Sequence, residues 1–179
     1  QYIQIISLIH RVSVNLDMGN ITNFKDTYPS ATTFFSKWAE IGKDEGMEKG
    51  HANSVQFMFD KIAQKLKTPF SVLDVGCGNG WVVRKFNESE FCLKAIGVDG
   101  AKKMIQKAQA IDSLNDYYCT DFLPWTPPQK FNIIHSMEVL YYLENPIELI
   151  NTIYSKWLNK QGCFIFGIDH YTENSPSIN

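Results

Sequence analysis

Three acids and three glycines occupy positions from which they can act on a ligand. Asp74 lies in "SVLDV", and Gly76, Gly78 and Gly80 follow at alternate positions in "GCGNG". Asp99 closes "CLKAIGVD" and Asp121 closes "YYCTD". A strand that runs into a helix through glycines can take positive φ and carries no Cβ to hold a ligand off the backbone. The helix start behind it presents N–H groups with no partner inside the helix. Such a turn receives a polar ligand directly against main chain.

The kind of ligand is narrowed by what surrounds the turn. A P-loop needs Lys followed by Ser or Thr after its last glycine, and here Trp81 and Val82 follow, reading as the first core residues of a helix. A dinucleotide turn has the form G-x-G-x-x-G, with its third glycine one place later than Gly80. Asp74, ahead of the turn, repels a pyrophosphate and favours a ligand that is cationic where it meets the glycines. Asp99 follows the turn at about the 20-residue spacing at which an acid accepts from a ribose diol. Asp121 can accept from the exocyclic amine of adenine. Adenosine with a cationic, phosphate-free tail meets all these demands, and S-adenosylmethionine is such a molecule.

The elements that must hold these residues alternate in type. "SVLDV", "CLKAIGVD", "YYCTD", "FNIIHS" and "GCFIFGID" read as strands, and the segments after the glycines, "AKKMIQKAQA" and "PIELINTIYSKWL" read as helices. Short, continuous apolar strands separated by helices predict an α/β fold: a doubly wound, mostly parallel Rossmann-like sheet with helices on both faces. Its ligand belongs beyond the carboxyl ends of the strands. Ahead of the sheet, a short helix is expected near 31–41. "GKDEGMEKGH" then reads as a glycine-rich loop, followed by a helix from Asn53 or Ser54 that Pro69 stops. Residues 1–50 thus form an N-terminal cap segment and 51–179 the binding domain. Residues 1–17 precede Met18 and read as a non-native or disordered remnant.

These motifs, over roughly residues 53–169, resemble the class I S-adenosylmethionine-dependent methyltransferases in their small-molecule branch. "VLDVGCGNG" resembles the first motif of that family, "GVDGAKKMI" the second, "CTDF" the third and "FNIIHSMEVLYYL" the fourth, with Asn132 where the family has Asp. The resemblance implies that Gly76, Cys77, Gly78 and Gly80 pack on the methionine portion of the donor, with Asp74 toward its amino group. It places Asp99 on the ribose and Gly100, Ala101 and Met104 beside the adenine, whose edge Asp121 and Phe122 fix. Ser136 and Met137 are implied at the reactive end. The family's sheet has seven strands, so the sequence falls two short at its C-terminal end. A C-terminal truncation, or another element or subunit over that edge, follows as an expectation, and so does an oligomer formed through an exposed edge.

Methyl transfer is an in-line displacement in which positive charge leaves sulfur, so alignment supplies much of the acceleration. An N or O acceptor can also need a base. His51, in the cap, His135, Glu138 and His170 are the candidates, with His51 preferred because the N-terminal segment caps the cofactor in this architecture. His135 lies inside an apolar strand and reads as a core or cofactor-lining residue. Trp38 and Tyr141 are candidate substrate contacts within an aromatic wall that also includes Tyr28, Tyr142 and Tyr171.

Composition sets the remaining bounds. The 179 residues suit one domain, and 44% apolar content is enough for a sizeable core. A net charge of −2 with no basic patch argues against nucleic acid and for a small-molecule acceptor. Cys77, Cys92, Cys119 and Cys163 show no zinc or disulfide spacing and read as thiols of a cytoplasmic protein. No run is long enough to span a membrane. The sequence also leaves two other functions open: an NAD(P)-dependent oxidoreductase and a non-catalytic methyltransferase-like subunit.

Overall fold

The computed structural model describes the backbone of residues 6–12 and 30–171 and the side chains of 30–168. Six strands form one parallel sheet: β1 (Ile6–Val12), β2 (Phe70–Val75), β3 (Cys92–Asp99), β4 (Asp116–Cys119), β5 (Phe131–Met137) and β6 (Leu158–Tyr171). Their order is β1-β6-β5-β2-β3-β4. From β2 the chain steps outward through β3 to β4. It then crosses back to β5 and β6 on the other side of β2. The strand order therefore reverses between β2 and β5, the place where an open α/β sheet leaves a crevice at its carboxyl ends.

Adjacent residues of β2 point to opposite faces and define two cores. On one face Val72, Ile133 and Ile165 pack with Val55 and Met58 of α2 (Glu45–Lys61). Val82, Val83 and Phe86 of α3 (Trp81–Asn87) and Ile105 and Ala108 of α4 (Lys102–Ile111) complete that layer. On the other face Leu73, Val75 and Ile134 meet Phe164, Phe166 and Leu149 of α5 (Pro146–Thr152). Ile153 and Trp157 of the π-helical turn after α5 close this second core. Every residue of β2 is buried, as a central strand covered on both faces requires.

Asn132 stitches the start of β5 to β2. Its Oδ1 accepts from the Ser71 amide at 2.9 Å and from the Ser71 hydroxyl at 3.0 Å. The residue that departs from the family pattern thus has a structural partner inside the sheet.

Three expectations change. The segment 42–50 is not a loop up to His51: α2 begins at Glu45 and carries Gly46, Gly50 and His51 within it. Each internal glycine costs about 1 kcal/mol of helix propensity, but burial of Val55 and Met58 and the anchoring of Asp44 at the helix start outweigh it. Second, α2 ends at Lys61, before a short 3-10 turn at Lys65–Lys67, and not at Pro69. Third, residues 6–12 form β1, which lies parallel to β6 with Ile6 opposite Ile165 and Val12 opposite Tyr171. β6 is therefore paired on both sides, and the edge expected to be open to an oligomer partner is occupied by this chain. The remainder of residues 1–17, and Tyr28, lie outside the described residues, as do the side chains of His170 and Tyr171.

Candidate active site

A cavity of about 860 Å³ opens at the carboxyl ends of the strands, within the size range of small-molecule and cofactor sites. Its floor is the turn between β2 and α3. Gly76 has φ +76 and Gly80 φ +80, a region that side chains rarely adopt. A Cβ at Gly76 would lie 2.1 Å from Val139 Cγ2, and one at Gly80 would lie 2.6 Å from the Tyr117 ring. Glycine is required at both places, by conformation and by space. Gly80 caps α3 against Tyr117 behind the turn and does not line the cavity.

Asp99 ties this floor to the next strand. Its Oδ2 accepts from the Gly78 amide at 2.9 Å and its Oδ1 from the Ala101 amide at 2.7 Å. Burial raises the Asp99 carboxyl above its ordinary range, with these two amides pulling the other way and Asp74 adding to the rise. Each oxygen keeps a second lone pair for a ligand hydroxyl. Asp74 is buried on β2 beside His135 of β5, with Oδ1 2.7 Å from Nδ1. Cys77 is buried at the turn, and its thiol is pushed well above the usual range by that burial and then by Asp99 and Asp74.

Gly100, Met104, Asp121, Phe122 and Met137 all line the cavity with Asp74, Gly76, Cys77, Gly78 and Asp99. Two further candidates do not. Ser136 is buried with its hydroxyl donating to the Val75 carbonyl at 2.9 Å, because alternation along β5 turns it away from the face that carries His135. Ala101 is buried at the N-cap of α4, where it acts through the amide held by Asp99.

The cap closes the opposite wall. Trp38, from α1 (Ala31–Glu40), and His51, from α2, both face the cavity, as do Glu138 and Tyr141 beyond β5. Glu138 has φ +58, an uncommon conformation for a residue with a side chain. Its amide donates to the Gly167 carbonyl at 3.0 Å, and its Oε2 accepts from the Tyr141 hydroxyl at 2.6 Å. Partial burial of a side chain that stays about half exposed, and then the Glu138 carboxylate, push the Tyr141 phenol above its usual range. Tyr142 joins this turn to the cap, its ring 5.4 Å from Phe35, which in turn stacks edge-on with Trp38. Among the described lining residues none is Lys or Arg.

Sequence reasoning missed the groups that fix the cap. Asp44 is wholly buried and accepts from the Asn79 side chain of the glycine turn and from Lys107 of α4, each at 2.9 Å. Thr32 of α1 packs so closely on Gly100 that a Cβ there would lie 2.5 Å from its methyl group. No spacing rule links residues 44, 79 and 107.

Fold and site define an α/β protein whose cavity, floored by a glycine turn and flanked by carboxylates, opens at the ends of its parallel strands. The methyltransferase-domain family pattern matches residues 45–171, and the chain belongs to the class I S-adenosylmethionine-dependent methyltransferases. It is 26% identical over 149 residues to a malonyl-[acyl-carrier protein] O-methyltransferase of Halalkalibacterium halodurans, covering 74% of this chain and 52% of that protein. It is 28% identical over 118 residues to a tRNA U34 carboxymethyltransferase of Helicobacter acinonychis, covering 57% and 41%. Among solved structures it is similar to the plantazolicin methyltransferase BamL, determined with a triazolic desmethylPZN analog and SAH. That match has a TM-score of 0.60 and 25% identity, over 75% of this chain and 53% of that one. The chain spans about half the length of the curated relatives it matches. Among the described residues no helix is long and apolar enough to cross a membrane.

Proposed function

We propose that this chain transfers a methyl group from S-adenosylmethionine to a nitrogen, oxygen or carbon nucleophile of a small molecule. One observation carries the reading: a single cavity gathers Asp74 and Asp99 from the ends of β2 and β3 and Asp121 from the loop after β4, which stops at Cys119 short of the expected strand end, and sets His51, Glu138, Trp38 and Tyr141 on its walls. The donor's chemistry fits those residues. A glycine floor without Cβ atoms, flanked by carboxylates and no described cation, suits a ligand that is cationic at the turn and lacks phosphate.

When bound, S-adenosylmethionine supplies an electrophilic methyl group. Asp74 holds the amino group of the donor and Asp99 its ribose hydroxyls. Gly100 and Met104 border the adenine, with Asp121 and Phe122 at its edge, and Met137 lines the reactive end. Trp38 and Tyr141 exclude water from the acceptor and orient it, which supplies most of the acceleration expected for an in-line displacement. Glu138 takes the proton an N–H or O–H acceptor releases, with His51 on the facing helix as the second candidate base.

A calorimetric titration tests the donor. S-adenosylhomocysteine should bind with a roughly micromolar constant, within the usual range for cofactors and substrates, and NAD should not bind. Binding of NAD alone would return the nicotinamide reading. Donor binding without turnover on any acceptor would return the non-catalytic one. A metabolite screen for methyl acceptance, with tRNA as a parallel arm because one relative is a tRNA carboxymethyltransferase, then tests the acceptor class.

A further inference from the structure

His135 is wholly buried in the middle of β5, yet it is polar, and its Nε2 has no hydrogen-bond partner among the described residues. A buried ring nitrogen left unpaired is unfavourable, and an apolar side chain at the same place would avoid that cost. The ring of Phe86 meets the imidazole edge-on at 5.8 Å, so packing alone is served by any flat or branched apolar residue. What distinguishes histidine is its other nitrogen. Nδ1 lies 2.7 Å from Asp74 Oδ1, across the in-register β2–β5 pair at the point where the strand order reverses. A carboxylate can only accept, so Nδ1 carries the proton of this bond. Both residues border the cavity.

We propose that His135 is a positioning residue for the amino-acid end of the methyl donor: its Nδ1–H occupies Oδ1 of Asp74 and so holds the carboxylate with its other oxygen toward the donor's ammonium group. The inference rests on the S-adenosylmethionine reading above and adds to it a residue that touches neither the methyl group nor the acceptor. A carboxylate restrained by one charge-assisted bond loses little rotational freedom when it accepts a second. The unpaired Nε2 is the cost of placing that donor on the dry side of the site.

The test compares two ligands that differ only in the part His135 serves. S-adenosylhomocysteine carries the amino-acid tail, and 5′-methylthioadenosine keeps the adenosine and sulfur without it. Titration of the full chain should show His135→Leu binding S-adenosylhomocysteine at least tenfold more weakly while methylthioadenosine binds as to the unaltered protein. His135→Asn, whose amide can donate from near the position of Nδ1, should recover most of the loss. A purely structural role would weaken both ligands together and would not be rescued by Asn, and either pattern overturns the proposal. If the Leu variant does not fold, the unaltered protein still decides. The Nδ1–H proton resonance of His135 should shift on adding S-adenosylhomocysteine and stay in place with methylthioadenosine, and an unmoved resonance in the first case refutes the role. Failure of the unaltered protein to bind S-adenosylhomocysteine at all would instead refute the donor assignment.

Discussion

The Asp99 carboxylate receives the Gly78 amide at 2.9 Å, so the end of β3 closes the glycine turn that leaves β2. The same side chain receives the Ala101 amide at 2.7 Å and thereby starts α4. One residue shapes the floor of the cavity and lines it. Asp99→Ala removes two charge-assisted bonds to backbone and, on the proposed function, the contact to the donor's ribose. Each such bond contributes about 1.5–3 kcal/mol, so affinity for S-adenosylhomocysteine should fall by roughly 100-fold or more. Asp99→Asn, which keeps one acceptor oxygen, should fall between. Calorimetry on both variants checks the order, and an Ala variant binding within twofold of the original would exclude Asp99 from the site.

Cap and core are joined by a buried polar latch, and it should report on cap mobility. Lys107→Met leaves the Asp44 carboxylate buried with Asn79 as its remaining named partner. Lys107 is about a quarter exposed, so solvent screens part of the effect. The expected loss is about 1–3 kcal/mol, read from urea denaturation. Proteolysis near 41–45 should also quicken. Adding Asp44→Asn removes the stranded charge, so the double variant should recover part of the loss. Strict additivity would show that the two residues do not act together.

Much of this was legible in the chain itself, and the reasons are local. Strands β2, β3 and β5 are short, largely apolar runs that end at Val75, Asp99 and Met137, because the stretches covered on both faces admit few polar side chains. The glycine turn could be read because positive φ at Gly76 and Gly80 leaves few alternatives to glycine. The start of α2 could not. Two glycines hid the first eight residues of the helix, 45–52, and the tertiary anchoring of Asp44 that permits them has no local signature. Ser136 misled for a different reason. Its position in the motif is right, but β alternation turns its hydroxyl to the Val75 carbonyl. The pairing of β1 with β6 joins residues more than 150 positions apart, and nothing in the first twelve residues specifies it.

Acid sensitivity should be concentrated at Asp112. Burial alone raises this carboxyl, but bonds from the Asn115 and Tyr117 side chains and from the Leu114 and Asn115 amides outweigh it, and the net shift is downward. A depressed carboxyl stabilises the folded state at pH values above its unfolded pKa of about 3.9, and that contribution is lost as pH falls through the folded value. Asp112→Asn should therefore cost about 1–3 kcal/mol at pH 7 and less at pH 3, below the unfolded value. Urea midpoints at the two pH values test this, and an equal cost at both would contradict it.

Thiol reactivity should divide by position. Cys119 is exposed, whereas Cys77 and Cys163 are buried. Burial pushes the Cys163 thiol up to about 11 and the Cys77 thiol well above its usual value, and only the thiolate attacks a disulfide reagent. At pH 8 an aromatic disulfide reagent should label Cys119 promptly and Cys77 and Cys163 only in denaturant. Prompt labelling of Cys77 in the folded protein would mean that the glycine turn opens freely.

Glu138 offers the sharpest separation of catalysis from folding. Its φ of +58 lies in a region that costs a residue bearing a Cβ about 1–2 kcal/mol, and its amide is held there by the Gly167 carbonyl. Glu138→Gly should remove the strain and leave stability equal or higher, apart from the loss of the Tyr141 hydroxyl's bond at an exposed site. Turnover should nevertheless fall in both Glu138→Gly and Glu138→Gln by roughly 10²–10⁴, the usual contribution of a general base, with donor affinity unchanged. Tyr141→Phe, which only frees the carboxylate from one bond, should cost a few-fold at most. Should His51→Ala lose the larger factor while Glu138→Gln retains turnover, the base belongs on α2, and the strain at 138 serves the turn that carries Tyr141 and Tyr142 toward the cap.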